Sequence, residues 1–212
     1  NIETIKTASG GSEVDLSAQK EALTITGDAG VDKITGGEGI DTIDGAGGDD
    51  IITIAAAGKG DTDVMDGGAD ADVLQLSTGA HAFADDGKLK NIETIKTASG
   101  GSEVDLSAQT EALTITGDAG VDKITGGEGV DTIDAAAGAD IITIAAAGKG
   151  NTDVMDGGAD ADVLQLSTGA HAFADNDKLK NIETIKTASG GSEVDLSAQT
   201  EALTITGDAG VD

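Results

Sequence analysis

A nonapeptide occurs three times in succession between residues 27 and 53. The three units read GDAGVDKIT (27–35), GGEGIDTID (36–44) and GAGGDDIIT (45–53). Each unit has glycine at its first and fourth positions, aspartate at its sixth and isoleucine at its eighth. A period of nine is too long for one face of a helix and too short for a strand–helix–strand unit, whereas it suits a short strand and a tight turn. The stretch therefore predicts strands and turns stacked coil upon coil.

Two more units, GKGDTDVMD (58–66) and GGADADVLQ (67–75), follow after a four-residue insertion. The flanking segments 13–17 and 22–26 alternate apolar and polar residues, and their Val, Ile and Thr favour strands. Nine large apolar residues in each copy are expected to point inward, which predicts nine strands: Ile2, Leu16, Ile25, Ile34, Ile43, Ile52, Met65, Leu74 and Phe83. Nine is odd, so with two strands per coil the equivalent strands of successive copies would lie on opposite edges of the solenoid. An irregular coil, expected at Thr7–Glu13, could prevent this by changing the number of strands in one coil. Three strands per coil also fit the count.

The chain is built from long, nearly identical copies. Residues 1–90 recur as 91–180, with differences only at positions 20, 40, 45, 47, 49, 61, 86 and 87, and residues 181–212 begin a third copy. Such arrays are extended, and each unit contacts its neighbours. We therefore expect three units of one continuous solenoid, 1–90, 91–180 and a partial 181–212.

The composition predicts that a cation takes part in folding. The chain has 40 acidic residues against 12 basic ones, a net charge of -28, and only two aromatic residues, both phenylalanine. Such charge usually means disorder, but 38% of the residues are hydrophobic and regularly spaced. The charge argues against nucleic acid and anionic membranes as partners, and no segment predicts membrane insertion. The lack of cysteine excludes disulfides and cysteine-based metal sites.

The sixth-position aspartates are the candidate metal ligands. Calcium takes six to eight oxygens from carboxylates and carbonyls, more than one short turn supplies, but two turns stacked about 4.8 Å apart can enclose an ion. With two strands per coil, Asp32 pairs with Asp50, Asp41 with Asp63 and Asp50 with Asp72. These pairs predict about three ions per copy. The predicted ligands are Asp32, Asp41, Asp50, Asp63 and Asp72, and in the second copy Asp122, Asp131, Asp140, Asp153 and Asp162.

The shared pattern, G-G-x-G-x-D-x-U-x with U a large aliphatic residue, resembles the RTX (repeats-in-toxin) family. The resemblance covers 27–53 and 58–75 of the first copy. It implies an all-β fold, a parallel β-roll or right-handed β-solenoid, with calcium (Ca2+) bound in the turns by the sixth-position aspartates and turn carbonyls. Residues 1–26 and 76–90 depart from the motif and are similar to segments interspersed in large RTX adhesins and surface-layer proteins.

The leading functional prediction is a calcium-stabilised extender or assembly unit of a giant bacterial adhesin, surface-layer or filament protein, secreted to the cell surface and without enzymatic activity. The alternative is the secretion-assisting repeat tail of an exported enzyme or toxin. A third possibility is the binding of ice or a glycan on a flat strand face. The expected partners are calcium ions and neighbouring repeats, with end-to-end contact favoured by open solenoid ends and lateral contact left open.

Other polar residues are expected to serve no site. His81 and His171 have no second histidine nearby, so surface positions are predicted for both. Asp15, Asp105 and Asp195 are expected to be solvated turn carboxylates, and the alternative that they join an ion site is left open.

Overall fold

The computed structural model describes residues 2–58, 61–83, 87–148, 151–173 and 175–208. These residues form short strands and turns and contain no helix. The strands are β1 (Thr4–Lys6), β2 (Glu13–Asp15), β3 (Thr24–Thr26), β4 (Lys33–Thr35), β5 (Thr42–Asp44), β6 (Ile51–Thr53), β7 (Val64–Asp66), β8 (Val73–Gln75), β9 (Gly79–Ala82), β10 (Leu89–Lys90), β11 (Thr94–Lys96), β12 (Ser102–Asp105), β13 (Thr114–Thr116), β14 (Lys123–Thr125), β15 (Thr132–Asp134), β16 (Ile141–Thr143), β17 (Val154–Asp156), β18 (Val163–Gln165), β19 (Gly169–Ala172), β20 (Leu179–Lys180), β21 (Thr184–Lys186), β22 (Ser192–Asp195) and β23 (Thr204–Thr206).

Every pairing between these strands is parallel, and in the motif region each strand pairs with the next but one. The register places eighth-position residues side by side, so Ile34 lies beside Ile52 and Ile52 beside Leu74. One regular coil is therefore two nonapeptides, with one strand on each of two faces. The predicted β-roll, a parallel β-solenoid of about nine turns, is confirmed, and the regular coils have two strands rather than three.

The coil at the copy boundary is different because it contains three strands. β8, β9 and β10 follow one another before β11 pairs with β8. β10 ends the sheet that begins with β1, while β9 starts a new sheet that continues through β12 and β14. The counterpart strands β3 and β13 therefore belong to different sheets. The edges swap at the boundary because the three-strand coil, and not an odd number of strands in the copy, shifts the pairing by one strand.

Two details of the strand prediction are wrong. The irregular coil is not at Thr7–Glu13, because β2 pairs with β4 in ordinary register and the irregular coil is the one at the boundary. The described residues of the first copy also form ten strands, not nine. β9 has the sequence Gly-Ala-His-Ala, which lacks an aliphatic alternation, and it places His81 in register with Val104.

The core is a column of aliphatic side chains. The middle residue of each motif strand, such as Ile34, Ile43 or Ile52, is at most 1% exposed, and each such side chain contributes roughly 1.5–3 kcal/mol on burial. Both phenylalanines, Phe83 and Phe173, are fully buried in the boundary coils. Ile2 is 71% exposed although its counterpart Ile92 is buried, because a preceding coil covers only Ile92. Stacking neighbours thus complete the core of each coil.

Candidate calcium sites in the turns

The turns place every sixth-position aspartate directly before a strand. Asp32 precedes β4, Asp50 precedes β6 and Asp72 precedes β8. Because strand side chains alternate in direction, a residue two positions before the inward eighth-position side chain also points inward. All ten predicted ligands are at most 2% exposed. The structure therefore buries the carboxylates on which the sequence prediction rests.

On one edge, three of these aspartates form a row. The Asp32 N–H donates to Asp50 Oδ1 at 2.7 Å, and the Asp50 N–H donates to Asp72 Oδ1 at 2.8 Å. The second copy repeats this row with 2.7 and 2.8 Å from Asp122 through Asp140 to Asp162. Each predicted pair on this edge lies in adjacent coils and is joined through a main-chain N–H.

The opposite edge has a shorter row. The Leu23 N–H donates to Asp41 Oδ1 at 2.9 Å, and the Asp41 N–H donates to Asp63 Oδ1 at 2.8 Å. In the second copy Leu113, Asp131 and Asp153 make the same bonds at 3.0 and 2.9 Å. The third predicted pair of each copy is thus also brought together.

Several carboxylate oxygens in these rows have no partner among the described residues. They are the buried Oδ2 atoms of Asp50, Asp72, Asp140 and Asp162. A buried, charged oxygen without a hydrogen bond is costly. A cation bound between the coils would compensate these unpartnered, negatively charged oxygens.

Oxygen atoms also converge beside the first-position glycines. A Cβ added to Gly45 would collide with Asp50 Oδ2 and with the carbonyl oxygen of Gly67 in the next coil. On the other edge, a Cβ added to Gly36 would lie 3.5 Å from Asp41 Oδ2 and 3.7 Å from Asp63 Oδ2. Carboxylates and carbonyls of successive coils therefore face one space, and oxygen ligands of this kind suit Ca2+.

Main-chain oxygens have to complete any such shell. In the part of the chain that the structure describes, no three acidic or histidine side chains form a group that could hold a metal ion. Since calcium takes six to eight oxygens, two carboxylates from stacked turns leave several places for carbonyls and water.

The electrostatics of the rows favour bound cations. Burial, assisted by neighbouring carboxylates such as Asp72 beside Asp50, raises the pKa of Asp50 and Asp63 to about 6. Burial likewise raises the pKa of Asp140 and Asp153 to about 6, and it raises the pKa of Asp72, Asp122, Asp131 and Asp162. A positive charge between these groups would stabilise the ionised form at neutral pH.

At the start of the three-aspartate row, uncharged groups donate hydrogen bonds to both carboxylate oxygens of Asp32. Ser12 N–H donates to Asp32 Oδ1 at 2.6 Å, while the Thr7 hydroxyl and the Asp28 N–H donate to Asp32 Oδ2 at 3.1 and 2.9 Å. Sequence reasoning missed Thr7 and Ser12 because they lie outside the nonapeptides. The pairing of β1 with β3 brings Thr7 to the row, and the pairing of β2 with β4 brings Ser12 there.

Asp15 lies away from the rows. It is exposed and accepts the Ser17 N–H at 2.9 Å in a local turn. Its hydrogen bonds from the Ser17 side chain and main chain lower the pKa of its carboxyl. Asp195 has the same bond to Ser197.

The predicted surface position of the two histidines is wrong. His81 and His171 are each 1% exposed, because β9 and β19 place them in register with core residues such as Val104. His81 Nδ1 lies 3.1 Å from Asp61 Oδ1, and its Nε2 lies 3.0 Å from the carbonyl oxygen of Ser77. His81 is therefore a satisfied core residue of its boundary coil, whereas the Nδ1 of the equally buried His171 has no hydrogen-bond partner among the described residues.

A family model matches the motif regions. The model of the RTX calcium-binding nonapeptide repeat matches four times, over residues 24–53, 57–80, 114–142 and 147–170, which together make up just over half of the chain. Comparison with the curated proteins and with the solved structures gives no match. None of the described residues belongs to a helix that could cross a membrane.

Proposed function

Because the chain belongs to the family of proteins that carry the RTX calcium-binding nonapeptide repeat, we propose that it is a calcium-stabilised extender or assembly unit of a giant adhesin, surface-layer or filament protein. The nonapeptides of this family bind Ca2+ in their turns. A β-roll of such repeats is structural and is not catalytic by itself. The proposal therefore assigns this chain a mechanical role outside the cell.

The ten sixth-position aspartates are the proposed side-chain ligands. They are Asp32, Asp41, Asp50, Asp63, Asp72, Asp122, Asp131, Asp140, Asp153 and Asp162. Their burial, their stacking in adjacent coils and the orphaned oxygens of Asp50 and Asp72 support this assignment. Binding would convert the cost of the buried charges into folding free energy.

The extender role rests on strand pairing that is unbroken across the copy boundary. Ile95 of the second copy pairs with Leu74 of the first, and the same sheet continues from Ile95 to Ile115. A linker between copies would instead interrupt the sheet. We propose that the units 1–90, 91–180 and 181–212 are therefore segments of one rod rather than separate domains.

An extracellular location fits the proposed chemistry. RTX repeat proteins are typically secreted bacterial proteins. Extracellular calcium modules commonly have dissociation constants of about 10⁻⁴–10⁻³ M, so a chain of this kind stays open in calcium-poor cytosol and folds after export. A catalytic domain encoded beside the repeats would instead favour the secretion-tail alternative.

Two measurements test the proposal together. At neutral pH, circular dichroism should show the β signal in calcium, and EDTA should abolish it; a full β signal in EDTA at that pH would contradict calcium-dependent folding. Small-angle X-ray scattering should show that each added 90-residue copy lengthens the particle by about 20 Å, since four to five coils rise about 4.8 Å each. A particle whose cross-section increases with each copy while its length stays the same would contradict the extender role.

A further inference from the structure

The three-aspartate row does not stop at the last motif. Beyond Asp72, the next coil places Glu93 against the row, and the Asp72 N–H donates to Glu93 Oε2 at 2.8 Å. This is the bond that Asp72 itself accepts from Asp50 at the same distance. The second copy repeats it between Asp162 and Glu183 at 2.8 Å. A glutamate outside every nonapeptide thus takes the position of the next aspartate.

The two ends of the row differ in charge. At the start, both carboxylate oxygens of Asp32 accept hydrogen bonds from uncharged groups. At the far end, Asp72 is 1% exposed, and its Oδ2 has no partner within the described part of the chain. Asp162 Oδ2 is orphaned in the same way. Both oxygens of Asp32 thus have hydrogen-bond donors, while Asp72 at the far end has a buried oxygen without one.

A cradle of oxygen atoms lies beside this orphaned atom. A Cβ added to Gly67 would collide with the carbonyl oxygen of Asn91 and would lie 2.5 Å from Asp72 Oδ2. Gly157 has the same surroundings, with the Asn181 carbonyl and Asp162 Oδ2. This repeats the arrangement at Gly45, where the carbonyl of the next coil belongs to Gly67. Asn91 therefore takes the place of a first-position glycine.

The use of glutamate has a geometric reason. The Gly67 N–H bonds to the carbonyl of Lys90, and the Thr94 N–H bonds to the carbonyl of Asp72. The turn 67–72 in one coil is thus covered by only 91–93 in the next. The main chain of this shorter turn does not follow the path of a nonapeptide turn. The additional methylene of glutamate lets the carboxylate of Glu93 reach the Asp72 N–H.

We propose that Asp72 and Glu93, and likewise Asp162 and Glu183, hold one further calcium ion at each copy boundary, with the carbonyl oxygens of Asn91 and Asn181 as additional ligands. This inference rests on the proposed calcium-binding function of the rows. It raises the count from the three stacked pairs to four ions for each copy that is followed by another. The added ion would join the last motif of one copy to the first strand of the next.

The test is an ion count on the double variant E93Q/E183Q. Glutamine keeps an oxygen that can accept the Asp72 N–H, so a purely structural hydrogen bond survives while the ligand charge is lost. Elemental analysis after dialysis at saturating calcium should find two ions fewer per chain than in the wild type. The matched control is E103Q/E193Q, which removes the same charge from exposed positions on strands and should leave the count unchanged.

The outcomes separate the two claims. A wild-type chain without bound calcium would overturn the proposed function itself. A wild-type chain that binds calcium, with E93Q/E183Q binding the same number, would overturn only the boundary site. Should the double variant fail to fold, anomalous diffraction from wild-type crystals decides the question, because the proposal requires a calcium peak between Asp72 and Glu93. Peaks between Asp50 and Asp72 without one beside Glu93 would reject it.

Discussion

At the scale of the residue, the sixth-position aspartate combines two conflicting demands. Its main chain must begin a strand, and its side chain must enter the edge of an apolar core in a molecule with a net charge of -28. Hydrogen bonds from main-chain N–H groups satisfy one oxygen, as between Asp32 and Asp50. The other oxygen of Asp50 is left for a ligand.

Replacing Asp50 should remove more calcium than replacing its neighbour. Asp50 belongs to two stacked pairs, so Asp50→Asn should eliminate or weaken by tenfold or more the binding of two ions in calorimetric titration. Asp49→Asn is the control, since Asp49 is exposed and the second copy has Ala139 at its place. Equal effects of the two substitutions would contradict the assignment of Asp50 as a shared ligand.

Acidification should substitute for calcium in part. The pKa of Asp50 and Asp63 is raised to about 6 in the folded chain, above the usual value of about 3.9. A folded-state pKa above the unfolded one gives stability that is present below about pH 4 and is lost as the pH rises through about 6. In EDTA, urea titrations should therefore show the free energy of unfolding falling between these values. A free energy of unfolding that stays constant or rises between these pH values would contradict the prediction that Asp50 and Asp63 are buried carboxylates with raised pKa values.

At the scale of the element, the turns depend on glycine for close approach between coils. A Cβ on Gly39 would collide with the main chain of Glu21 and Ala22 in the coil before it, whereas a Cβ on Gly47 would meet nothing within 4 Å. Positive φ is needed elsewhere, as at Asp70 with φ 83°, and aspartate tolerates that conformation better than most residues.

Gly39→Ala should accordingly destabilise the calcium-loaded chain by about 1–3 kcal/mol, the usual cost of overpacking. Gly47→Ala should change the stability by less than about 0.5 kcal/mol, as for surface substitutions in general, and the second copy already has Ala137 there. Chemical denaturation of both variants measures the difference. A neutral Gly39→Ala would mean that the coils are less closely stacked than the structure shows.

The motif coils could be predicted from the sequence because their information is local. Each nonapeptide specifies its own turn by Gly and Asp and its own strand by an inward aliphatic residue. The boundary coil could not, because β9 has only Gly, Ala and His, and its position depends on pairing with β12 more than 20 residues away. Glu93 could not be predicted as a ligand for the same reason, since nothing within four residues of it resembles the motif.

At the scale of the whole molecule, the copies are expected to unfold together. The sheet that begins with β2 contains strands of both copies and ends with β20. Stability in such arrays comes from the intrinsic stability of units and from the interfaces between neighbours. With the interface built from paired strands, calorimetry of the calcium-loaded chain should show one transition.

Ile95→Asn should divide that transition into two. Ile95 is fully buried at the boundary between Leu74 and Ile115, and a buried amide without partners costs several kcal/mol on top of the lost apolar contacts. Lys96→Asn alters the adjacent exposed position and should leave a single transition. A single unchanged transition in Ile95→Asn would show that the coupling does not pass through β11.

The swap of edges at the copy boundary affects how such an array can change in length. At each copy boundary one sheet ends and another begins, while a third sheet continues from one copy into the next. The exchange of sheets is the same at both boundaries, because β19 and β20 take the places at the second boundary that β9 and β10 take at the first. Adding or deleting one whole 90-residue copy would therefore leave a continuous sheet across every boundary. For the proposed extender, length would thus change in fixed increments of one copy without any change in the fold.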